Sequence, residues 1–258
     1  MKKYQFDLIV DSCRNVSVDT FLLKLTCPEG LPEVNPGQFA EFMVEGSAKT
    51  FLRRPISIHD TDMVRNTVSF LIRKVGAGTE QLSKLKPGDS VNVLLPLGNG
   101  FDCTSLRSRY PLLAGGGVGV APLYLLGKYF ASHGISPTFL FGGRTVSNLL
   151  RLEDFEKLGK VYATTDDGSF GERGVVTDHH VLQNENFDVI YACGPTPMLK
   201  AVAGYALRNG VACQVSLEHM MACGIGACLC CVEKTRKGNL CVCKDGPVFS
   251  IEELLWQI

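Results

Sequence analysis

Ala114-Gly115-Gly116-Gly117-Val118-Gly119-Val120-Ala121-Pro122 is the stretch that decides the fold of the second part of this chain. The residues that lead into it, 112–114, are apolar and typical of a short buried strand, and residues 122–131 have a helical pattern. Glycines allow a backbone to approach a pyrophosphate closely, and the N-terminus of a helix attracts negative charge. The spacing is not the G-x-G-x-x-G of the conventional dinucleotide-binding turn, so by itself it fits either a nucleotide site or an ordinary tight connection.

The segments on the C-terminal side of this stretch repeat the order of strand and helix. Four more short apolar segments are predicted strands, at 138–141, 161–164, 189–192 and 213–216. The clearest helix covers 196–208, where apolar residues recur on one face. Strands that alternate with helices predict a doubly wound α/β domain with a parallel sheet.

A second turn strengthens the interpretation as a nucleotide site. Cys193-Gly194-Pro195-Thr196-Pro197-Met198 follows a predicted strand and begins a helix. Thr196 is a suitable N-cap, and Pro197 suits the first helical position. Both turns follow the carboxyl ends of parallel strands, where open α/β sheets bind ligands. Together they favour a site for a nicotinamide nucleotide.

The first hundred residues have a different pattern. Six segments are strand-like, at 4–10, 21–26, 38–44, 56–58, 67–72 and 90–95. Turn residues separate them, at Pro36-Gly37, 60–62 and Pro87-Gly88. Six short strands at close intervals predict a small antiparallel barrel.

Three motifs on these strands have the ingredients of a flavin site. Arg53-Arg54-Pro55-Ile56-Ser57 brings cations and a hydroxyl to a predicted strand, and Leu71-Ile72-Arg73 ends another. Gly76-Ala77-Gly78-Thr79 forms a turn of small residues before a predicted helix at 79–85. A guanidinium can bind a phosphate with two hydrogen bonds, and a small-residue turn can hold one with its amides. Each motif alone is weak, because paired arginines are usually solvated and Gly-x-Gly is usually only a turn.

Four cysteines near the C-terminus have the spacing C-x4-C-x2-C-x11-C: Cys223, Cys228, Cys231 and Cys243. This resembles the spacing by which plant-type ferredoxins hold a 2Fe–2S cluster. The small residues at 224–227 would allow a loop to wrap around such a cluster. A structural zinc site, and a set of thiols that are inert or joined in a disulfide, are the alternatives. Cys230 and Cys241 stand beside the proposed ligands and could replace them.

Composition restricts the class of protein. The chain has 258 residues, 45% of them hydrophobic, and a formal net charge of zero. That length suits about two domains, and the balanced charge gives no reason to expect binding to nucleic acid or to an anionic membrane. Asp7 interrupts the place of a signal-peptide core, and no apolar run reaches membrane-spanning length. Eleven cysteines without a leader predict a reducing compartment, the cytoplasm.

Several motifs taken together resemble a known superfamily. Five motifs resemble those of the ferredoxin–NADP reductases: R-P-I-S at 54–57, G-x-G-T at 76–79, L-G-N-G-F at 97–101, G-G-G-x-G-x-A-P at 115–122 and C-G-P-x-P-M at 193–198. Two further motifs make the resemblance specific to one family: E-x-x-M-A-C-G-I-G-A-C-x-x-C at 218–231 and C-K-D-G-P-V-F at 243–249. With them the whole chain is similar to the family of electron transfer subunits of NAD-dependent dihydroorotate dehydrogenase B complexes.

The resemblance implies a fold and a set of site residues. We expect a six-stranded antiparallel FAD-binding barrel at 1–102, an NAD-binding α/β domain at 103–216 and a small 2Fe–2S segment at 217–258. The implied FAD contacts are Arg54, Pro55, Ile56, Ser57, Leu71, Ile72, Arg73, Gly78 and Thr79. The expected nucleotide residues, from the two turns, are Gly115, Gly116, Gly117, Gly119, Cys193, Gly194 and Pro195. The implied cluster ligands are Cys223, Cys228, Cys231 and Cys243, the last because it directly precedes K-D-G-P-V-F.

The resemblance also implies a function. In the family, a partner subunit oxidises dihydroorotate at its own FMN, and the electrons pass through 2Fe–2S and FAD to NAD+, in the biosynthesis of UMP. The expected assembly is a heterotetramer with two copies of each subunit. No general acid, base or covalent nucleophile is required in this chain.

Two other functions remain open at this point. One is a diaphorase-type subunit of a hydrogenase, sulfide dehydrogenase or transhydrogenase complex, with the same cofactors but another partner. The other is a zinc-stabilised binding module without redox activity.

The choice of NAD over NADP rests on Asp166 and Asp167, whose carboxylates would repel a 2′-phosphate, although the positive charge of Arg144 would attract one. The resemblance implies NAD.

Overall fold

The computed structural model describes residues 2–46, 50–104 and 108–257. The chain divides into two compact units. The first contains residues 1–100 together with 218–233 and 239–247, and the second contains 101–217 together with 234–238 and 248–258. All four predicted cluster ligands belong to the first unit.

The first unit is built on a curled antiparallel sheet, as predicted. Its strands are β1 (Tyr4–Asn15), β2 (Thr20–Thr26), β3 (Phe39–Phe42), β4 (Arg54–Ser57), β5 (Asp60–Asp62), β6 (Thr67–Arg73) and β7 (Ser90–Leu97). Their order in the sheet is β4-β3-β7-β1-β2-β6-β5, with antiparallel pairing throughout. One helix, α1 (Ala77–Leu82), follows β6.

The sheet has seven strands within the described residues, not the six that were predicted. Residues 60–62 were expected to be a turn, but they form the edge strand β5, in which Asp60 pairs with Ser69 and Asp62 with Thr67. An edge strand of three half-buried residues needs no apolar alternation, so its polar sequence resembles a loop. The predicted helix at 79–85 is also displaced, since α1 begins at Ala77 and ends at Leu82.

Strand β3 differs from the other strands of the first unit because all four of its residues are buried. One face meets the core of the sheet, where the rings of Phe42 and Phe70 make an edge-to-face contact at 4.7 Å. The other face, with Phe39 and Glu41, lies under the turn after β7 and the loop at residues 223–231, as described below. The strand that a sequence pattern would leave half exposed is therefore enclosed on both sides.

The second unit is a doubly wound α/β domain, which confirms the predicted fold class. Its strands are β8 (Pro111–Gly116), β9 (Thr138–Gly143), β10 (Lys160–Thr165), β11 (Glu172–Arg173), β12 (Val189–Cys193), β13 (Ala212–Ser216) and β16 (Val248–Ser250). Its helices are α2 (Ala121–Ser132), α3 (Leu152–Glu156), α4 (Val181–Asn184) and α5 (Thr196–Asn209). Three short 3₁₀ turns cover Gly117–Val120, Val146–Asn148 and Val176–Asp178.

The strand order in this sheet is β11-β10-β9-β8-β12-β13-β16. All pairs are parallel except β13 with β16, which adds an antiparallel edge. The connections reverse direction between β8 and β12, and such a switch point leaves a crevice at the carboxyl ends of the two strands.

One detail of the predicted helix start is wrong. Thr196 was expected to cap α5, but it is the first helical residue, Pro195 occupies the N-cap position, and no side chain caps the helix. The proline has the extended backbone that an N-cap requires, and its carbonyl accepts the Leu199 amide at 3.0 Å. At its other end the helix is terminated by Gly210, which lies in the left-handed region with φ of 64°.

A short hairpin accounts for the long gap between the third and fourth predicted ligands. Strands β14 (Val232–Thr235) and β15 (Gly238–Cys241) form a two-stranded sheet. The chain returns beside its starting point, where the Val242 amide donates to the Cys231 carbonyl at 2.9 Å. The x11 spacing therefore brings Cys243 back to Cys231.

In the described part of the chain, no helix combines the length and the apolar character needed to cross a bilayer.

Candidate functional site

The loop at residues 223–231 directs backbone amides at cysteine sulfurs. The Gly226 amide donates to Cys243 Sγ at 3.1 Å, and the Ala227 and Cys228 amides donate to Cys223 Sγ at 3.3 and 3.4 Å. Gly224 and Gly226 have φ of 66° and 82°, which glycine adopts without steric cost. Amide donors of this kind stabilise thiolates and the sulfurs of iron–sulfur clusters.

The predicted fourth ligand is part of this hydrogen-bonded set. The Cys243 amide donates to Cys231 Sγ at 3.3 Å, while its own sulfur accepts the Gly226 amide. The neighbouring Cys241 uses its amide differently, since that amide donates to the Asp245 carboxylate at 2.7 Å. Cys230 is exposed, and its thiol donates to the Met220 carbonyl at 3.7 Å. The geometry thus supports Cys243 over its two neighbours.

Two of these thiols differ sharply in acidity. Burial opposes ionisation of Cys223, but the amides of Ile225, Cys228 and Ala227 lower its pKa to about 6. Burial, reinforced by the adjacent Cys231, raises the pKa of Cys243 to about 12. Because the thiolate is the metal ligand, the loop already favours the ionised form at its first cysteine. Four cysteines, of which three have a sulfur that accepts a backbone amide, fit an iron–sulfur cluster.

The motif L-G-N-G-F has a structural role that the sequence did not reveal. The Asn99 amide donates to the Gly246 carbonyl at 2.6 Å, and its side-chain amide donates to the carbonyls of Lys244 and Asp245 at 3.2 and 3.0 Å. A Cβ at Gly98 would lie 2.6 Å from Pro247 Cδ, so only glycine permits this approach. The end of β7 therefore holds the residues that follow Cys243.

The predicted flavin residues come together at one part of the first unit. Strand β4 consists of Arg54, Pro55, Ile56 and Ser57, and strand β6 ends with Leu71, Ile72 and Arg73. A Cβ added at Gly78 would lie 2.8 Å from Arg54 Nε, so the guanidinium of Arg54 packs on the small-residue turn. This places a cation beside amides at the start of α1, a combination suited to a phosphate group.

The structure distinguishes the two consecutive arginines. The Arg53 guanidinium donates to the carbonyls of Glu41 and Asn92 at 3.1 and 3.2 Å and also to the Asn92 side chain. Arg53, which directly precedes β4, therefore ties β3 to β7. Arg54 instead donates to the carbonyls of its neighbours Leu52 and Arg53, at 2.9 and 3.1 Å. Of the two arginines, Arg54 is therefore the better candidate for binding a flavin phosphate.

Other predicted flavin residues have internal partners. The Thr79 hydroxyl accepts the Val75 amide at 2.9 Å and donates to the Gly76 carbonyl at 3.1 Å, so it shapes the turn. Arg73 forms an ion pair with Asp19 at 2.7 Å. Leu71 and Ile72 are buried in the core. Any contact of these last two with a flavin would come from their backbone.

The two predicted nucleotide turns meet at the switch point of the parallel sheet. Gly115 and Cys193 are register partners on the adjacent strands β8 and β12. A Cβ at Gly119 would lie 2.5 Å from the Cys193 carbonyl oxygen, and one at Gly116 would lie 2.7 Å from Met198 Sδ. These glycines permit the two turns to pack backbone against backbone.

Gly117 differs from the other glycines of the first turn. Its φ is 55°, and nothing lies within 4 Å of the position of an added Cβ. The open space at this glycine is where a pyrophosphate could approach the backbone at the start of the helical turn. Gly117 is therefore the glycine of this turn that is best placed for ligand contact.

The proposed ribose carboxylates lie beside the end of β9. The amides of Asp166 and Asp167 donate to the carbonyls of Gly143 and Arg144, at 3.0 and 3.2 Å. The Ser169 hydroxyl and amide both donate to the Asp167 carboxylate, and these bonds lower its pKa. Asp167 thus stabilises its own turn, which leaves the exposed Asp166 as the carboxylate suited to a ribose hydroxyl.

A group of Glu172, His179 and His180 has metal-ligand atoms within 4.8 Å of one another. The Val181 amide donates to His179 Nδ1 at 3.0 Å, so the ring proton of this neutral imidazole is on Nε2, which faces Glu172 Oε1 at 3.5 Å. Glu172 also accepts the His180 amide at 3.0 Å and pairs with the His180 ring. We interpret this group as a hydrogen-bonded structural cluster.

The sequence reasoning missed Glu41. Its side chain is fully buried at 0% exposure, and neither carboxylate oxygen has a hydrogen-bond partner among the described residues. Burial raises the pKa of Glu41 to about 7 against the opposing effect of Arg53, and Cys223 adds to the rise. The only signal in the sequence is a charged residue within the apolar run Phe39-Ala40-Glu41-Phe42.

Comparison with protein families gives two matches on this chain. Residues 218–255 match the iron–sulfur cluster binding domain of dihydroorotate dehydrogenase B. Residues 113–204 match the oxidoreductase NAD-binding domain. The first match contains all four predicted cysteine ligands, and the second contains both glycine turns.

Curated relatives extend the similarity over nearly the whole chain. A protein of Fusobacterium nucleatum is 40% identical over 250 residues, 94% of this chain and 95% of its own length. One of Shouchella clausii is 40% identical over 261 aligned residues, 99% of this chain and 100% of its own. Each is named dihydroorotate dehydrogenase B (NAD(+)), electron transfer subunit.

Solved structures give a consistent result. A chain from a study of flavin-based electron bifurcation, the NADH-dependent reduced ferredoxin-NADP oxidoreductase, superposes with a TM-score of 0.86 at 32% identity. The match covers 97% of this chain and 90% of that one. The ferredoxin reductase in carbazole 1,9a-dioxygenase has a TM-score of 0.68 at 21% identity, over 82% of this chain and 67% of that chain, which shows a shared fold only.

Proposed function

Because this chain belongs to the family of dihydroorotate dehydrogenase B electron transfer subunits, we propose that it carries electrons from a dihydroorotate-oxidising partner subunit to NAD+. The proposed route begins at the flavin of the partner, passes through a 2Fe–2S cluster and FAD in this chain, and ends at NAD+. This reaction would serve the biosynthesis of UMP.

The family membership confirms the predicted class of protein. The chain is an NAD-dependent oxidoreductase subunit whose cofactors are an iron–sulfur cluster and FAD, with NAD as substrate. A non-redox zinc module is therefore excluded as its function.

One observation carries the proposal: the cluster loop and the candidate flavin strand lie in the same compact unit, joined through β3. Glu41 of β3 contacts the loop at Gly224, and the same residue pairs with Pro55 of β4. Electron transfer between two cofactors requires them to be close. A strand that contacts both sites would keep their separation short.

The residues of this chain would bind and orient the redox groups. Cys223, Cys228, Cys231 and Cys243 would hold the cluster, with the amides of 226–228 directed at sulfur. Arg54 and the turn at Gly78 would bind a flavin phosphate. When bound, FAD supplies the conversion between one-electron transfer and the two-electron chemistry of NAD.

The glycine turn in the second unit would bind the nucleotide substrate. The backbone at Gly117 is open to a pyrophosphate, and Gly194 and Pro195 line the adjacent turn. The Asp166 carboxylate is positioned by its own backbone bond to Gly143 and would accept a hydrogen bond from the adenosine ribose.

The proposed partner is an FMN-containing catalytic subunit, in a heterotetramer of two copies of each chain. Exposed apolar side chains surround the cluster loop, where Met220, Ile225 and Leu229 have exposures of 85%, 46% and 65%. Apolar surface beside a cluster suits a partner that delivers electrons there. The proposed compartment is the cytoplasm, whose reducing conditions suit a chain with eleven cysteines and a proposed iron–sulfur cluster.

Co-expression with candidate flavoprotein partners tests the function. We expect a dihydroorotate-oxidising subunit to co-purify with this chain, and the pair to reduce NAD+ when dihydroorotate is added. The partner alone should oxidise dihydroorotate with a dye but not with NAD+. A fully loaded pair that cannot reduce NAD+ with dihydroorotate would contradict the proposal.

A second candidate is a transhydrogenating or electron-bifurcating complex, which the 32% identical solved relative favours. There this chain would exchange electrons between NAD and a partner with another substrate. In the same co-purification, reduction of NADP+ or ferredoxin by NADH, without activity on dihydroorotate, would support this candidate instead.

A further inference from the structure

The face of β3 that carries Phe39 and Glu41 is covered by the turn after β7 and by the cluster loop. A β-bulge between Phe39 and Glu41 alters the pairing of β3 with β7, and bulges commonly redirect side chains. At Phe39 the cover is the turn that begins with Gly98, where an added Cβ would lie 2.9 Å from the Phe39 ring. At Glu41 the cover is the cluster loop itself.

The contact of Glu41 with the loop is close. A Cβ added at Gly224 would lie 2.7 Å from Glu41 Cγ and 3.1 Å from Glu41 Oε1. Gly224 directly follows Cys223, the first proposed ligand. The carboxyl side chain therefore forms the surface on which the loop rests at its first ligand.

The carboxyl group of Glu41 is unusual because it is buried without a hydrogen-bond partner among the described residues. Burial of a carboxyl without hydrogen bonds is costly, and buried polar groups in proteins normally have partners. The described residues offer neither oxygen of Glu41 a hydrogen bond. Leucine or glutamine would fill a similar volume without an uncompensated negative charge. Folding alone therefore gives no reason for a carboxylate at this position.

The charged groups at and near Glu41 differ in sign between the cluster loop and the candidate flavin strand. Gly224 of the cluster loop lies against the Glu41 side chain, and the positive charges of Arg53 and Arg54 favour the ionised carboxylate. Arg53 donates to the carbonyl of Glu41, and Arg54 begins the candidate flavin strand β4. The negative group lies next to the cluster loop, and the positive groups lie at the flavin strand.

We propose that Glu41 is a positioning residue for the iron–sulfur cluster, which supports the loop at Gly224 and lowers the reduction potential of the cluster relative to that of FAD. A negative charge close to a cluster opposes the addition of an electron, and low local polarity strengthens this effect. The inference rests on the cofactors of the proposed function but not on its partner or substrate.

The test compares Glu41→Gln with the wild-type chain, as isolated holoprotein without partner, at a single pH of 8.5. Redox titration followed by electron paramagnetic resonance gives the cluster potential, and visible absorption gives that of FAD. We expect the one-electron equilibrium between the two cofactors to shift by about tenfold toward reduced cluster, which corresponds to ~59 mV. Glu45→Gln is the matched control, because Glu45 is exposed just beyond β3, and it should change neither potential.

A second variant guards against a failure of the first to fold. Glu41→Leu removes the charge and needs no hydrogen bond, and the same shift is expected. Wild-type potentials in either variant with full iron and sulfide would overturn the inference. So would loss of the cluster from both variants, since that would assign Glu41 to folding. Neither result depends on dihydroorotate activity, so the proposed function is tested separately.

Discussion

Cys223 and Cys243 lie in the same hydrogen-bonded set but have opposite acidities. Three loop amides lower the pKa of Cys223 to about 6 in spite of burial, whereas burial and Cys231 raise that of Cys243 to about 12. A metal centre binds thiolates, so its assembly must displace a proton from Cys243. The first cysteine is prepared for binding by the backbone, and the last depends on the metal.

Exchange of single cysteines tests which thiols are ligands. Cys243→Ser is expected to abolish the cluster, because its sulfur accepts the Gly226 amide and its amide bonds to Cys231. Cys241→Ser and Cys230→Ser are matched controls and should retain it. Iron and acid-labile sulfide per chain provide the measurement. Retention of the cluster in Cys243→Ser with loss in Cys241→Ser would reverse the assignment.

The preference for NAD is expected to depend on one of two adjacent carboxylates. Asp166→Asn should relax discrimination against NADPH by about tenfold, because a hydrogen bond to a charged group contributes ~1.5–3 kcal/mol. Asp167→Asn should mainly loosen its own turn, since its carboxylate bonds to Ser169. The ratio of kcat/KM for NADH and NADPH with a dye acceptor measures the effect. An unchanged ratio in Asp166→Asn would show that the Asp166 carboxylate does not determine the preference for NAD.

Among the elements, the turns after β8 and β12 depend on each other. Sequence patterns predicted both turns and their place at the carboxyl ends of parallel strands, because strand–turn–helix signals are local. They did not predict that Gly116 and Gly119 serve the packing between the turns while Gly117 is open. Local pattern also failed for β5, whose three polar residues are a strand only because β6 offers them a partner.

Gly119→Ala tests the contact between these turns. The new Cβ would lie 2.5 Å from a backbone oxygen of Cys193, which cannot move aside as a flexible side chain could. We expect a loss of ~1–3 kcal/mol in unfolding free energy and a raised KM for NADH. Gly134→Ala is the comparison for backbone strain without a clash, since its φ is 75° and nothing lies within 4 Å, and it should leave the KM for NADH unchanged. Thermal denaturation and dye-linked kinetics separate the two variants, and equal behaviour would contradict the steric argument.

On the scale of the molecule, two parts of the cluster segment belong to the first unit. Residues 218–233 and 239–247 belong to the first compact unit although they follow the α/β domain in sequence. Two different restraints hold them there. The proposed cluster would join the loop to Cys243, while Asn99 bonds directly to the backbone of 244–246.

Removal of the cluster should therefore release only part of this segment. In Cys228→Ser, which changes an exposed ligand, we expect amides of 223–231 to exchange with deuterium about tenfold faster or more. Amides of 244–246 and of β1 should keep their protection. Hydrogen exchange measured by mass spectrometry, with FAD retained, gives the comparison. Uniform loss of protection over the whole segment would show that the cluster alone organises it.

The sequence by itself determined the chemistry of this protein: four thiols at cluster spacing, two glycine turns after apolar strands, and the fold class, all of them patterns among near neighbours. The tertiary structure alone decided which arginine is available at β4, which glycine of the first turn is open, and that Glu41 is buried beneath the cluster loop. The physical reason is that these properties depend on contacts between residues far apart in the chain. Glu41 is an ordinary outward-facing residue of a strand until Gly224 is packed upon it.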